Sequence, residues 1–555
     1  MSFDSLPIEM MLAIFEWLNL NELYEISVVN HHWYRVAGIL IARRCWFVVS
    51  SVQQKNLETL MVSERHHRSI LIQQLNSAGW EQIEPVLSIC SGRLAVRQMM
   101  VCRTMADSLK QLFQKFGSWL ADLEELHVSF DHRFLRNDGW SGWSHTICLP
   151  KVQQLYWSEN HLRRGNRTIS IDAPVLKRLV VNDSFGSKLN LILMRSDKME
   201  TLECTLYRKN FGDMFQQALN NLTCLILRIY NTIQDVGFLR SLGNLTWLNL
   251  ALEYDKELLP LLFNQTIEII CKYKTLEGLQ IHMMENEGAL CSVSLAQLGQ
   301  SLPNLVQLEL NNICLKVSSR PTNIFQNLAL LKLTEVVLRN EQPLYLNYPN
   351  LEIISLSLLL LPSIVLQDGR TPQKLFVNLD AFRIEESIVL YLLPFLNRSP
   401  KVRDVTLYKT DQHDNLPSNF GLPQPMPLAV DRLHLINLEL TVYCIQKLAE
   451  SETLRHLILT RCVVRIRYEI WESVMPLHRL KTLQLRSVQL DDSGRMEFPF
   501  TCRSKVPIIG RKGSTTGYVF NTAIPDDFTD TLAFGVEDIR IRPTGWKKHY
   551  TVSPV

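Results

Sequence analysis

The chain has 555 residues, 46% of them hydrophobic and 20% charged, with a formal net charge of +3. That composition excludes a disordered chain, and the near-balance of charge gives no global pull toward nucleic acid or an anionic membrane. The length exceeds what one compact core organises, so several domains or an elongated repeat array is expected.

The opening MSFDSLPIEMMLAIF carries acidic residues where a secretory signal carries lysine or arginine, and it is not read as a signal. The most apolar stretch, Ile353 to Leu366, contains serines and Pro362. It falls short of the ~20 residues a helix needs to span a bilayer, and it reads as a buried strand followed by a loop. The 12 cysteines are scattered singly, with neither zinc-ligand spacing nor the clusters that cap secreted repeat proteins. Free thiols in a reducing compartment are expected, and so is an intracellular location, cytoplasmic, nuclear or both.

Residues 5–42 carry three short apolar stripes. Pro7 and Glu9 suit the first turn of a helix, where a missing N–H costs nothing and a negative charge suits the dipole. Ile8, Met11, Leu12, Phe15 and Leu18 then share one helical face. Asn19 and Asn21 break the pattern and offer a cap. Leu23, Ile26 and Val29 form a second stripe, Asn30 breaks it, and Trp33, Val36 and Leu40 form a third. A bundle this small has more apolar residues than interior positions, so some are expected to face a partner.

Leu6-Pro7-x-Glu9, Ile14-Phe15, Leu18, Leu20, Leu23, Val29 and the His32-Trp33 pair resemble the F-box, over about forty residues at one end of the chain. The resemblance implies docking onto a Skp-type adaptor that bridges to a cullin scaffold and its RING subunit. Leu6, Pro7, Ile14, Leu18, Leu23 and Trp33 would then carry the docking or the support beneath it. Where Asn30 stands, a cysteine is common in that family.

Beyond residue 120 one phrase recurs, with apolar residues at positions one, four and six. It starts at Leu123, Val152, Leu176, Met199, Leu222, Leu245, Leu276, Leu305, Leu328, Leu351, Leu379, Val402, Val430, Leu454 and Leu480. The spacing, about 23 to 31 residues, is that of leucine-rich repeats with a few loop insertions. Positions four and six lie two apart on a strand and point inward together, and stacked units bury what one unit cannot. Ile70-Leu71-Ile72 and Met99-Met100-Val101 read as divergent first turns. Asn160 and Cys462 occupy the slot where such repeats bond loop backbone. Amphipathic segments such as Phe211 to Leu219 and Ser387 to Leu396 suit short convex-side helices.

The expected fold is therefore an α/β leucine-rich-repeat horseshoe solenoid with an N-terminal three-helix F-box. Its parts are an F-box (1–50), a connecting segment with possible divergent first repeats (51–122), the repeats (123–490) and a C-terminal cap or tail (491–555). Residues beside the inward leucines alternate onto the concave face. Among them Tyr156, Arg228, Trp247, His282, Glu309, Arg383, Tyr408 and Arg432 are the substrate-binding candidates, aromatic and arginine side chains being the usual interface anchors.

Catalytic patterns are missing from the sequence. There is no paired-cysteine framework for a built-in RING domain, and Cys502 reads as a plain thiol. The adjacent His66 and His67 are poorly spaced for chelation. Gly510 to Gly517 departs from the phosphate-loop order. Asp526, Asp527 and Asp530 read as solvated. No catalytic residue, metal or cofactor is expected.

By the resemblance, this is the substrate-recognition adaptor of a Skp–cullin–F-box ubiquitin ligase, holding an unknown target protein for ubiquitination and proteasomal degradation. Two alternatives stay open. One is a Skp-bound scaffold acting outside a full ligase. The other is a repeat receptor sensing a small ligand, for which Arg383, Arg432, Arg455, Arg461 and Arg486 supply basic groups.

Overall fold

The computed structural model describes residues 6–44, 46–49, 67–73, 75, 77–104, 106–130, 146–159, 166–183, 188–195, 198–206, 221–229, 236–253, 259–284, 291–316, 325–339, 343–346, 348–366, 372–379, 391–399, 401–409, 419–420, 430–441, 448, 451, 453–460, 462–465, 482–486 and 489–490. The chain divides into two compact units, Met1–Thr275 and Leu276–Val555.

The first unit begins with the three expected helices, α1 (Ile8–Phe15), α2 (Leu20–Ile26) and α3 (His31–Arg44). Pro7 stands at the N-cap position of α1, without a side-chain cap bond, and Glu9 sits in its first turn. At α2 the cap is reciprocal. Asn19 Oδ1 accepts the Glu22 N–H at 3.1 Å and Glu22 Oε2 accepts the Asn19 N–H at 2.7 Å, satisfying two end groups that have no helical partner. Asn30 caps α3 in one direction only, its Oδ1 accepting the Trp33 N–H at 2.8 Å. Arg44, at the end of α3, donates to the Leu18 carbonyl at 2.6 Å and the Glu16 carbonyl at 2.5 Å, tying down the end of α1. Met11, Phe15, Leu23, Val36, Ala37, Leu40 and Ile41 form the bundle core, with Leu6, Leu12, Leu18, Ile26 and Trp33 packed against it.

Only Cys45 separates α3 from a strand that opens a parallel ladder. Trp46–Val49 pairs with Ser69–Gln73, which pairs with Gln98–Thr104, and that strand with Glu125–Phe130. Gln154–Glu159, Arg178–Asp183, Thr201–Leu206, Cys224–Ile229 and Trp247–Leu252 continue it, each pairing parallel with the next. The divergent turns at Ile70 and Met99 are thus full ladder strands. The strand at Trp46 precedes any phrase the sequence offered.

The second unit is a like ladder: Gly278–Met283, Gln307–Asn311, Leu330–Thr334, Ile353–Ser357, Lys374–Asn378, Asp404–Tyr408, Arg432–Ile436, His456–Thr460 and Thr482–Arg486, all parallel. Both units are leucine-rich-repeat solenoids in which phrase positions four and six turn inward. Leu126, Leu155, Leu179, Leu202, Leu225 and Leu248 line one core, and Leu279, Leu308, Leu331, Ile354, Val405 and Leu433 line the other, each at most 2% exposed. A leucine so buried contributes about 1.5–3 kcal/mol.

One phrase is corrected. The repeat expected to start at Leu379 forms its strand at Lys374–Asn378, with Leu375 and Val377 inward. Position one of that unit is Pro372, and without an aliphatic residue there the pattern slid to the next leucine. The outer layer differs as well. Beside helices such as Ser77–Arg93 and Ala106–Leu120 stand small parallel sheets, among them Thr146–Cys148 with Asn166–Asp172 and Lys188–Arg195, and Ser292–Ser294 with Cys314–Lys316 and Val337–Leu338. Ser387 to Leu396 yields only the short helix Leu393–Asn397 within its described part, and Phe211 to Leu219 lies outside the described residues.

The turns leaving the strands explain three left-handed residues. Asn312, Glu335 and Asn437 each follow the last residue of a ladder strand with φ of 54°, 53° and 55°. Asn312 and Asn437 also donate side-chain hydrogen bonds to the Met283 and Lys409 carbonyls of the preceding repeats, at 3.3 and 2.9 Å. Cys462 fulfils the role read for it, with its Sγ donating toward the Leu435 and Thr460 carbonyls at 3.3 and 3.4 Å. Asn160 lies outside the described residues.

Burial pushes the thiol of Cys90 up to about 12 and that of Cys462 up to about 11, and it raises Cys204 too, which suppresses the reactive thiolate. Among the described cysteines, iodoacetamide in native buffer is expected to modify the exposed Cys148 first and to spare Cys90, Cys204 and Cys462 until urea unfolds the chain, as mapped by peptide mass spectrometry. Fast native labelling of Cys204 or Cys462 contradicts their inward placement.

Candidate functional site

Two surfaces stand out. The first lies on the helical bundle. Eight of the eleven exposed large apolar side chains among the described residues belong to it: Ile8, Met10, Ile14, Trp17, Tyr24, Val28, Val29 and Ile39. Trp17 is 91% exposed and Val28 84%. The helical spacing that fills the core with Met11 and Phe15 leaves Met10, Ile14 and Trp17 turned away from it. A concentration of uncovered apolar groups on so small a bundle marks a contact surface.

The second surface is the polar side of the ladders. In the first unit a hydrogen-bonded and stacked row crosses six consecutive strands. Ser69 Oγ donates to Gln98 Oε1 at 2.8 Å, and Gln98 Nε2 donates to Glu125 Oε2 at 2.9 Å. Glu125 Oε1 lies 2.6 Å from His127 Nε2, and the His127 ring stacks on Tyr156 with centroids 4.0 Å apart and planes at 10°. Arg178 covers the Tyr156 ring at 5.4 Å and lies 3.8 Å from Glu203. Burial raises the Tyr156 hydroxyl above the usual tyrosine range; Arg178 opposes the shift, while Glu125 and Glu203 add to it.

In the second unit, Glu309 pairs with Lys332 at 2.6 Å, His282 Nδ1 lies 3.4 Å from Asn311 Nδ2, and His434 Nε2 lies 2.9 Å from Thr460 Oγ1. Arg432 reaches Asp404 at 3.5 Å. Burial raises the Asp404 carboxyl, with Arg432 and Lys374 pulling it back down. Gln307 is 1% exposed, and neither Nε2 nor Oε1 has a hydrogen-bond partner among the described residues. A buried amide left so costs about 1–3 kcal/mol.

Comparison with known families decides the first surface. Residues 3–45 match the model of the F-box-like family. Residues 3–45 are an F-box-like domain. Among curated proteins, none matches the chain. Among solved structures, the chain is similar to an internalin (inlF) from Listeria monocytogenes str. 4b F2365, at 12% identity and a TM-score of 0.25 over 68% of this chain and 82% of that one. It is similar to TLR13 in a complex with ssRNA13, at 13% identity and a TM-score of 0.35 over 78% and 68% of the two chains. It is also similar to the plant peptide hormone receptor RGFR1 in complex with RGF2, at 12% and 0.23 over 78% and 87%. The repeat fold is read from the strand ladders themselves.

Within the F-box-like domain the candidate residues separate into two groups. Pro7 and Ile14 are exposed, whereas Leu23 lies in the core and Leu6, Leu18 and Trp33 pack against it, Trp33 meeting the Phe15 ring edge-on at 5.5 Å. The first pair faces outward and the other four support it. Met10, Trp17 and Val28 were not singled out from the sequence, although their places between core positions mark them.

On the ladders, Arg228 is exposed and Tyr156, Trp247, His282 and Arg432 are half-buried on the polar side. Glu309 is 7% exposed and already paired. Tyr408 is a correction: it is 4% exposed, flanked in register by Asn378 and Ile436, so the alternation that aims it outward leaves it covered. Arg383 lies outside the described residues, as do Arg461, His66 and Cys502. Sequence reading passed over Glu125, His127 and Glu203, which occupy phrase positions three and five of their repeats and were within its reach.

The Tyr156 stack has a measurable energy. Tyr156→Leu and Arg178→Gln are expected to be non-additive in urea unfolding, with a coupling of about 0.5–2 kcal/mol for a cation whose side chain is 18% exposed over a ring. Additivity within about 0.3 kcal/mol means that ring and guanidinium do not interact.

Proposed function

We propose that this protein is the substrate receptor of a Skp–cullin–F-box ubiquitin ligase, its F-box-like domain docking on a Skp-type adaptor and its repeats holding a target protein. The observation that carries the reading is the uncovered apolar face of the F-box-like domain, joined by one residue to a long repeat ladder. F-box domains generally bind Skp-type adaptors and leucine-rich repeats bind protein ligands, so one chain with both unites a ligase and a target. Cullin and RING subunit come with the adaptor. Catalysis by this chain is proximity alone, since holding a target beside a charged carrier enzyme raises their effective concentration. It calls for no cofactor and no catalytic side chain. On this reading the protein works inside the cell, in the cytoplasm, the nucleus or both.

Affinity purification of the intact chain beside Ile14→Asp and Val28→Asp variants tests this. Both side chains are exposed, so the variants are expected to keep the parent's circular dichroism and melting temperature while losing the adaptor and the cullin together. Leu23→Ala acts differently, destabilising the bundle by about 2–5 kcal/mol through the cavity it leaves. Recovery of the adaptor without any cullin supports a scaffold outside the ligase, and a folded intact chain that recovers no adaptor refutes the proposal.

A further inference from the structure

The strand starts of the second unit carry positive charge that the fold does not use. The Asp431 and Arg432 N–H groups donate to the Arg403 carbonyl at 3.0 and 2.9 Å, and the Arg455 and His456 N–H groups donate to the Asp431 carbonyl at 2.8 and 3.0 Å. These bonds set Arg403, Asp431 and Arg455 in one column across three strands. Beside it, in register, stands the column Lys374, Asp404, Arg432 and His456. Four cations, Lys374, Arg403, Arg432 and Arg455, thus face two acids, Asp404 and Asp431, with His456 at the edge.

Arg432 is engaged, lying 3.5 Å from Asp404. Arg403 is exposed and Arg455 half-buried, and neither guanidinium has an ion pair or a hydrogen bond among the described residues. The corresponding column of the first unit is built differently. There Arg97 pairs with Glu124 at 2.5 Å and Lys177 with Glu200 at 3.6 Å, each cation beside an acid of the next strand. One acid between two arginines cannot neutralise both, so the second unit keeps a net positive strip that solvent reaches.

Planar guanidinium forks match carboxylates, and a positive strip attracts negative charge. The arrangement favours single negative charges spread along a chain over one phosphoryl group. Arg403 and Arg455 are two strands apart, about 9–10 Å at the backbone, and do not converge as the arginine clusters that hold phosphate do. Asp431 lies between them and repels a dianion placed there. Carboxylates two or three residues apart on an extended segment, at about 3.4 Å per residue, meet the two arginines and leave Asp431 uncovered.

We infer that the strand starts from Lys374 to His456 bind an acidic segment of the target protein, with Arg403 and Arg455 each taking an aspartate or glutamate carboxylate. This rests on the receptor reading above and names the chemistry of the segment. Because the charges are open to solvent, salt screens the attraction and weakens binding.

The test is a phage-displayed library of linear twelve-residue peptides, depleted on the full-length Arg403→Glu/Arg455→Glu chain and then selected on the full-length parent at low salt. Recovered peptides are expected to be net negative, with two acidic residues two or three positions apart. They are expected to bind the parent at least tenfold more tightly than the reversed chain, and to lose affinity as salt is raised. Arg240→Glu/Lys272→Glu makes the same charge change at exposed positions outside the strands, and is expected to leave the affinity within twofold. Arg403→Gln/Arg455→Gln removes the charge without reversing it, and is expected to weaken binding while keeping the parent's melting temperature.

The inference is overturned by no peptide surviving depletion, by recovered peptides without net negative charge, or by an equal loss on the Arg240→Glu/Lys272→Glu chain. A melting temperature lowered in both arginine variants overturns it too, since it makes the pair structural. So does a twelve-nucleotide polyuridylate that binds the parent more tightly than the peptides and is lost on the same variants, which assigns the strip to nucleic acid. Adaptor recovery does not depend on these residues, so failure here is distinct from failure of the receptor reading.

Discussion

The parallel pairing of the ladder strands is the constraint on which the molecule depends. Because side chains alternate along a strand, fixing Leu308 and Leu310 inward also fixes Gln307, Glu309 and Asn311 on the other side, and the register repeats this in every neighbouring strand. No single repeat buries its own leucines, so each strand depends on the next. The same requirement that makes the core continuous lays polar residues of successive repeats side by side, about 4.8 Å apart. The row from Ser69 to Glu203 follows from that spacing: each group reaches its neighbour because the strands hold them at contact distance.

The bundle at the start obeys the opposite logic. Its caps at Asn19 and Asn30 and the Arg44 clasp fix three short helices that propensity alone leaves marginal, and its core is small. What it does not bury is therefore informative. Trp17 and Val28 at 91% and 84% exposure are costly for a free surface and reasonable for one that a partner covers. With a single residue between α3 and the first ladder strand, a partner on the helices and one on the repeats are held by one continuous structure within the first unit.

Much of this was legible in the residues, for physical reasons that differ by element. Capping asparagines act within three residues, so Asn19 and Asn30 could be read locally. The repeat phrase could be read because inward positions tolerate little but aliphatic side chains, and Cys462 because its bonds are to backbone carbonyls of the preceding repeat and its own. The register failed where that chemistry lapsed, at Pro372, whose repeat was displaced to Leu379. The Trp46–Val49 strand was missed because its uniformly apolar WFVV lacks the phrase. Exposure was the least legible property. Alternation gives the direction of Tyr408, but only the packing of neighbouring strands determines that it is covered, and the orphaned amide of Gln307 exists only in three dimensions.

The central claim is that the chain divides its labour, with the helices for a ligase adaptor and the strands for a target. Hydrogen–deuterium exchange of the full chain with and without a purified Skp-type adaptor tests it most directly. The account predicts slowed exchange confined to the segment from Ile8 to Val29 and the start of α3, with the ladder strands unchanged. Protection spread over the strands with the helices unaffected would contradict it.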